Sequence, residues 1–453
     1  MVGAVPSISI QKAIDNMLRM RHPKISRHYS RKFRARHPHD YTLLLYALGA
    51  AALAGAVLVG AGHARPADAQ AAPPQVSSRA LALHRSLLVF DGHVHAIDRE
   101  FYNGGDIGER KADGQFDLPR AREGGLGALF FSIYVSDDYY PGRLETRHAL
   151  GELDCALDQI ERNRQTIEIA RTASDIERIH RAGKIAAVLD IEGSPDIDGD
   201  LYVLRDMYRL GLRSAMLSAH NTTSNYGDSC CSPAKWHGLN DRGRALIHEM
   251  NRLGMVINVS HASDDAISQA IDISSDPVVA THHGLRAVND IPRNMPDWLV
   301  QKLASKGGVI GFQIGNEFHN KKAFDWVSAH SGKPFWDTGS AAERRNMDLA
   351  SLDHLLAPGY PMRPAAIPQD IRLTVDQWVD VVDRAIRLVG EDHVSFGSDF
   401  DGGPPPPQGF RDVRDLPLIT DAMLRRGYSE ERIGKFWGGN LLRVFRQVTE
   451  KQH

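Results

Sequence analysis

Leu87-Leu88-Val89-Phe90-Asp91-Gly92-His93-Val94-His95 is an apolar run that ends on two histidines. Strand side chains alternate with a period of two, so His93 and His95 point the same way, roughly 7 Å apart at Cβ or a little less. At that spacing one ion can be chelated from a single strand end. Two such histidines are also what a half-exposed strand end contains, and what gives them weight is recurrence. Ile185-Ala186-Ala187-Val188-Leu189-Asp190-Ile191 ends on Glu192-Gly193, and Arg213 to Ser218 runs on to His220-Asn221. Met255 to Ser260 ends on His261, and Pro277 to Thr281 ends on His282-His283-Gly284. Late in the chain His393 to Ser398 ends on Asp399, followed by Phe400-Asp401-Gly402-Gly403.

Two further apolar runs, Leu126 to Val135 and Gly308 to Phe312, bring the strand candidates to eight. The intervals carry helical periodicity, as in Leu201, Leu204, Met207, Tyr208 and Leu212, or Trp378, Val381, Val382, Ile386 and Val389. Strands alternating with helices imply parallel βαβ units. Eight units over roughly 370 residues predict an α/β fold of the (β/α)8 TIM-barrel type with insertions, whose active site lies at the C-terminal strand ends. Every candidate ligand falls at such an end.

The chain has 453 residues, and its 54 Lys and Arg nearly balance 56 Asp and Glu, so no charge excess points to a nucleic-acid partner. Residues 1–40 differ, being rich in Arg, Lys and His. The uncharged stretch from Tyr41 to Gly62 is near the roughly 20 residues that span a bilayer. With basic residues before it, it reads as a signal peptide or a membrane anchor that exports the rest of the chain. Ala67-Asp68-Ala69 offers a cleavage site, and residues 63–79 read as a linker before a metallohydrolase domain over 80–449. The three cysteines cannot all pair. Outside the cytoplasm Cys155 can bridge to Cys230 or Cys231; the alternative is three unpaired thiols. Neighbouring cysteines without a second pair are not a zinc finger.

Asp91-Gly92-His93, Glu192-Gly193, His220-Asn221, Ser260-His261, His282 with Arg293-Asn294, and Gly397-Ser398-Asp399-Phe400-Asp401-Gly402 occur in that order, and Asn440-Leu441-Leu442-Arg443-Val444-Phe445 closes the chain. This set resembles the membrane (renal-type) dipeptidase family of metal-dependent amidohydrolases. The resemblance implies a zinc-dependent dipeptidase that opens a peptide bond with a metal-bridging hydroxide. It implies two Zn2+ per chain, one held by His93, His95 and Glu192, the other by Glu192, His261 and His282, with Glu192 bridging. Asp399 would move the proton from water to the leaving amine, His220 would hydrogen-bond the oxyanion or substrate carbonyl, and Arg293 would grip a substrate carboxylate. A homodimer is also implied.

The chain departs from the family at two places. His93-Val94-His95 stands where members commonly have His-x-Asp, which removes one negative charge from the first ion site. Thr222 follows His220-Asn221 where the family has a cysteine, so that disulfide does not carry over. Imidazole and carboxylate ligands without thiolate suit zinc while leaving manganese, cobalt and iron open. His283, Asp401, Asp190, Asp98 and Glu100 read as neighbours rather than participants. Residues 313–370 are long enough to form a lid or an interaction arm, and Pro404 to Pro407 read as a stiff rim beside Asp399. Two other functions compete: a related amidohydrolase acting on another small carboxylate-bearing amide or lactam, and an inert, membrane-anchored binding barrel.

Overall fold

The computed structural model describes residues 75–139, 144–193, 201–330 and 348–451. The basic segment 1–40, the apolar stretch 41–62, the cleavage site and the tryptophan at 336 lie outside these residues. Among the described residues no helix is long and apolar enough to cross a membrane.

Nine strands form one sheet, every pairing parallel: β1 Val89–Val94, β2 Leu126–Tyr134, β3 Ile167–Ile169, β4 Ile185–Glu192, β5 Ser214–Met216, β6 Val256–Asn258, β7 Val279–His283, β8 Val309–Phe312 and β9 Val394–Phe396. Eight follow the order β1-β2-β4-β5-β6-β7-β8-β9, with the helices between them, and these are the eight apolar runs of the sequence. The sheet nearly closes on itself: Val94 bridges Phe400, and the Asp399 N–H donates to the His93 carbonyl at 2.9 Å. The ninth strand, β3, is off this path and pairs the lower part of β4, where β5 does not reach. Three residues alternating Ile-Glu-Ile are too short a run to stand out by periodicity.

β2 and β4 are buried at every position, which is why they read as continuous apolar runs. The crossover helices bury amphipathic faces. Val375–Val389 opens with a capping box from Thr374 and Gln377 and buries Trp378, Val379, Val382 and Ala385. The last helix, Asn440–Thr449, sets Leu441, Val444, Phe445 and Val448 against Phe90, Phe130, Val188, Val256, Val279 and Val309. Val256, Val279 and Val309 each begin a strand, so this helix closes the end of the barrel opposite the ligands.

The cysteines differ from both expectations: Cys230 and Cys231 are joined to each other, and Cys155 is free and half-buried on the helix Glu145–Arg162. A tight loop, held by Cys230 N–H donating to the His261 carbonyl at 2.8 Å, folds the adjacent pair so that their sulfurs meet. The interval after β8 is partly helical, with Asn316–His319, Lys321–His330 and Leu349–Leu356. It is tied to the proline rim: Asn316 Nδ2 donates to the carbonyls of Pro405 and Pro406, and Met362 bridges Gly402.

Beneath the ligands the strands approach without side chains between them. A Cβ at Gly397 would lie 1.9 Å from the Thr281 carbonyl oxygen, and one at Gly311 would lie 2.0 Å from it. Both obstacles are backbone and cannot rotate away. Gly397→Ala is therefore expected to destabilise the barrel by about 1–3 kcal/mol or more, measured by denaturant unfolding; unchanged stability would show that β7 and β9 do not need this contact.

Candidate metal centre

Glu192, the last residue of β4, receives imidazoles from three other strands. His93 Nε2 and His95 Nε2 lie 3.1 and 2.9 Å from its Oε2, and His261 Nε2 and His282 Nε2 lie 3.1 and 3.4 Å from its Oε1. All five side chains are buried. They form two groups able to hold an ion, His93-His95-Glu192 and Glu192-His261-His282, with ligand atoms within 4.8 Å of one another in each. The structure thus brings together the five residues that the family resemblance names as ligands.

Outer partners fix which nitrogen faces inward. His95 Nδ1 lies 2.8 Å from Asp98 Oδ2, His261 Nδ1 3.3 Å from Asn221 Oδ1, and His282 Nδ1 3.0 Å from Thr281 Oγ1. Each partner can accept a proton from Nδ1, which leaves Nε2 as a lone pair aimed at the centre. Backbone geometry contributes as well. His261 and Asp399 adopt left-handed φ values of 64° and 62°, conformations that cost a non-glycine residue about 1–3 kcal/mol and that cluster at functional sites.

The charge balance calls for cations. Burial opposes ionisation of Glu192, yet His93 and His95 hold its carboxyl well below the usual range. Burial likewise opposes ionisation of Asp399, and its hydrogen bond with His95, with the imidazoles of His282 and His93 close by, holds it at about 2. In return, and against burial, Glu192 and Asp399 raise His93, while Glu192 and Asp98 raise His95 well above the ordinary value. Burial, with Arg293 and His220 nearby, pushes His261 far down; burial, with the charge of His93, takes His282 to about 3. His261 and His282 therefore present two bare nitrogens only 3.0 Å apart. Two lone pairs so close repel unless a cation lies between them and the carboxylate, so the nitrogen and oxygen donor set fits a metal.

Asp399, at the end of β9, places Oδ1 3.0 Å from His95 Nε2, while Gln313 Nε2 donates to its Oδ2 at 3.1 Å. His220 faces the same cavity, its Nδ1 3.2 Å from Asp137 and its Nε2 3.9 Å from Glu192. The cavity is about 280 Å³ and includes Tyr134, Gln313, Glu317, Phe318, Met362 and Pro404 in its wall. Arg293 is fully buried and is not among the lining side chains. Its Nη2 donates to the His282 carbonyl at 2.7 Å, while Nε and Nη1 have no hydrogen-bond partner among the described residues. Burial lowers this guanidinium to about 10 despite Asp399 and Glu192, and Phe318 lies 5.5 Å from its carbon.

Asp98, Asp137 and Gln313 belong to the site although the sequence reading does not select them. The strand-end rule could have found two: β2 leads to Asp137, and β8 leads directly to Gln313. Asp98 sits three residues beyond His95 at the start of the short helix Asp98–Asn103, and only its contact with His95 marks it.

A parallel eight-stranded barrel whose strand ends gather two His/Glu groups around one carboxylate defines a metal-dependent hydrolase. Residues 77–453 match the family described as membrane dipeptidase (peptidase family M19), and the chain belongs to it. It is 32% identical over 345 residues to Dipeptidase tcpJ of Claviceps purpurea strain 20.1, covering 74% of this chain and 70% of that protein. The probable dipeptidase PvdM of Pseudomonas aeruginosa superposes with a TM-score of 0.68 at 25% identity, over 82% of this chain and 98% of that one. A metallopeptidase from Rhodobacter sphaeroides, solved with a phosphinate mimic of the dipeptide L-Ala-D-Ala, gives 0.64 at 25% identity, over 80% and 99%.

A metal entering this centre must displace the protons that Glu192 and Asp399 hold on His93 and His95. Metal affinity is therefore expected to rise with pH across the neutral range, with proton release on loading. Calorimetry in buffers of different ionisation enthalpy measures that release, and a pH-independent affinity would contradict the charge assignment.

Proposed function

We propose that this chain cleaves the peptide bond of dipeptides at two zinc ions, one held by His93, His95 and Glu192 and the other by Glu192, His261 and His282. The observation that carries this reading is the shared carboxylate of Glu192, whose two oxygens each face two imidazoles. Zinc bound there supplies Lewis acidity, lowering the pKa of water and polarising the substrate carbonyl.

The protein groups have separate tasks. Asp399, ionised and steadied by Gln313, accepts the proton of the attacking water and delivers it to the departing amine. His220, oriented through Nδ1 by Asp137, offers Nε2 to the oxygen of the carbonyl as negative charge gathers on it. Arg293, buried beside Phe318 at the back of the site, takes the free carboxylate of the substrate through Nε and Nη1, the two donors without a hydrogen-bond partner among the described residues. We further propose that residues 41–62, an uncharged stretch preceded by basic residues, export the chain as a signal peptide or anchor, and, by family resemblance, that the enzyme acts as a homodimer.

The test uses a fragment starting near Gln70: elemental analysis together with hydrolysis of L,L and L,D dipeptides. About two zinc per chain with turnover is the expected result. Metal without dipeptide turnover would favour the related amidohydrolase, and no metal after reconstitution would favour an inert barrel. Asp399→Asn is expected to abolish turnover while metal content stays intact; near-normal activity would remove Asp399 from the mechanism. Arg293→Ala is expected chiefly to raise KM roughly 10-fold or more for substrates with a free carboxylate, and an equal loss on amidated substrates would exclude that role.

A further inference from the structure

The cavity over the metal centre has an apolar side, built from Phe318, Val327, Met362, Pro404 and Pro405, and one carboxyl is set into it. That carboxyl is Glu317, on the helix Asn316–His319 just beyond β8 and only 4% exposed. Its Oε2 has no hydrogen-bond partner among the described residues. The cation whose charge reaches it, Arg372, donates its Nε to the Ile367 carbonyl at 2.9 Å. Burial, reinforced by the charge of Asp399, pushes Glu317 up to about 8.

Glu317 is held in this position. Asn289 Nδ2 donates to its backbone carbonyl at 2.7 Å, and Asn316 pins the same helix to the proline rim. A Cβ at Gly315 would sit 3.0 Å from Oε2 and 2.7 Å from Pro404, so the carboxyl packs against backbone and rim. Gln313 joins it to the reaction chemistry, binding Asp399 through Nε2 and the Gly315 N–H through Oε1. A buried carboxylate without a counter-charge is costly; Arg363 lines the same cavity but forms no ion pair with Glu317 among the described residues, and a ligand in the cavity can bring the missing charge. Glu317 belongs to neither metal-holding group. Its apolar surroundings suit an ammonium carried on carbon better than a hydrated ion.

We propose that Glu317 is the subsite for an ammonium group of the substrate, foremost the free α-amino group of a dipeptide, and so selects amino-terminal substrates over N-acyl amino acids. This rests on the dipeptidase reading. Glycyl-alanine and acetyl-alanine differ only by that ammonium. The metal-loaded wild-type enzyme is expected to favour glycyl-alanine by roughly 10- to 100-fold in both calorimetric affinity and kcat/KM. In Glu317→Gln most of that ratio is lost through KM, while acetyl-alanine and metal content are unchanged. Comparing lysyl-alanine with alanyl-alanine separates the sources: a penalty confined to lysyl-alanine assigns the ammonium to the side chain.

Equal losses on glycyl- and acetyl-alanine, or no loss on either, would overturn the proposal. So would a wild-type ratio near one, which decides the matter even where the variant does not fold. Failure of the wild type to hydrolyse any dipeptide would overturn the dipeptidase reading instead, and the calorimetric ratio would still judge Glu317.

Discussion

One carboxylate sets the terms for everything around it. Glu192 is buried at the end of β4 with imidazoles converging on both oxygens. Such a group is tolerable inside a protein only when cations face it from each side. The neighbouring strands must therefore deliver nitrogen lone pairs to within about 3 Å, and a nearly closed parallel barrel does so because all its strands end on one rim. The outer hydrogen bonds from Asp98, Asn221 and Thr281 follow from the same requirement, since a misdirected imidazole would offer a proton where a lone pair is needed.

The glycines under the rim serve the same end by a different route. Gly311 and Gly397 let three strands crowd around the Thr281 carbonyl, which brings the residues that follow, His282 on β7 and Asp399 after β9, within reach of the same point. Packing below thus sets distances above. Where a side chain elsewhere in the barrel would fill this layer, backbone contact keeps it narrow.

Much of this was legible in the sequence because strand ends carry their own signature. Each run that stops at His93, Glu192, His261, His282 or Asp399 announces a strand and a candidate site residue together. Asp98 was not legible: its role depends on a helix turning it back toward His95, a distance no spacing rule encodes. The Cys230–Cys231 pair was hidden likewise, because a loop conformation and not sequence separation decides whether adjacent sulfurs meet. Arg293 shows the limit from the other side. Its motif is plain, but its depth behind the ligands and beside Phe318 emerges only in three dimensions.

The helix Asn440–Thr449, packed under the barrel against the residues that begin β6, β7 and β8, has a bearing on traffic. With that end covered, the centre opens, among the described residues, through the cavity that has Met362 and the prolines in its wall. That cavity is the route by which reactant reaches the centre and amino acids leave it. A centre approached from one end of a barrel whose other end is covered suits very short peptides, so the dipeptidase family's substrate size agrees with the plumbing of the barrel as well as with any one contact.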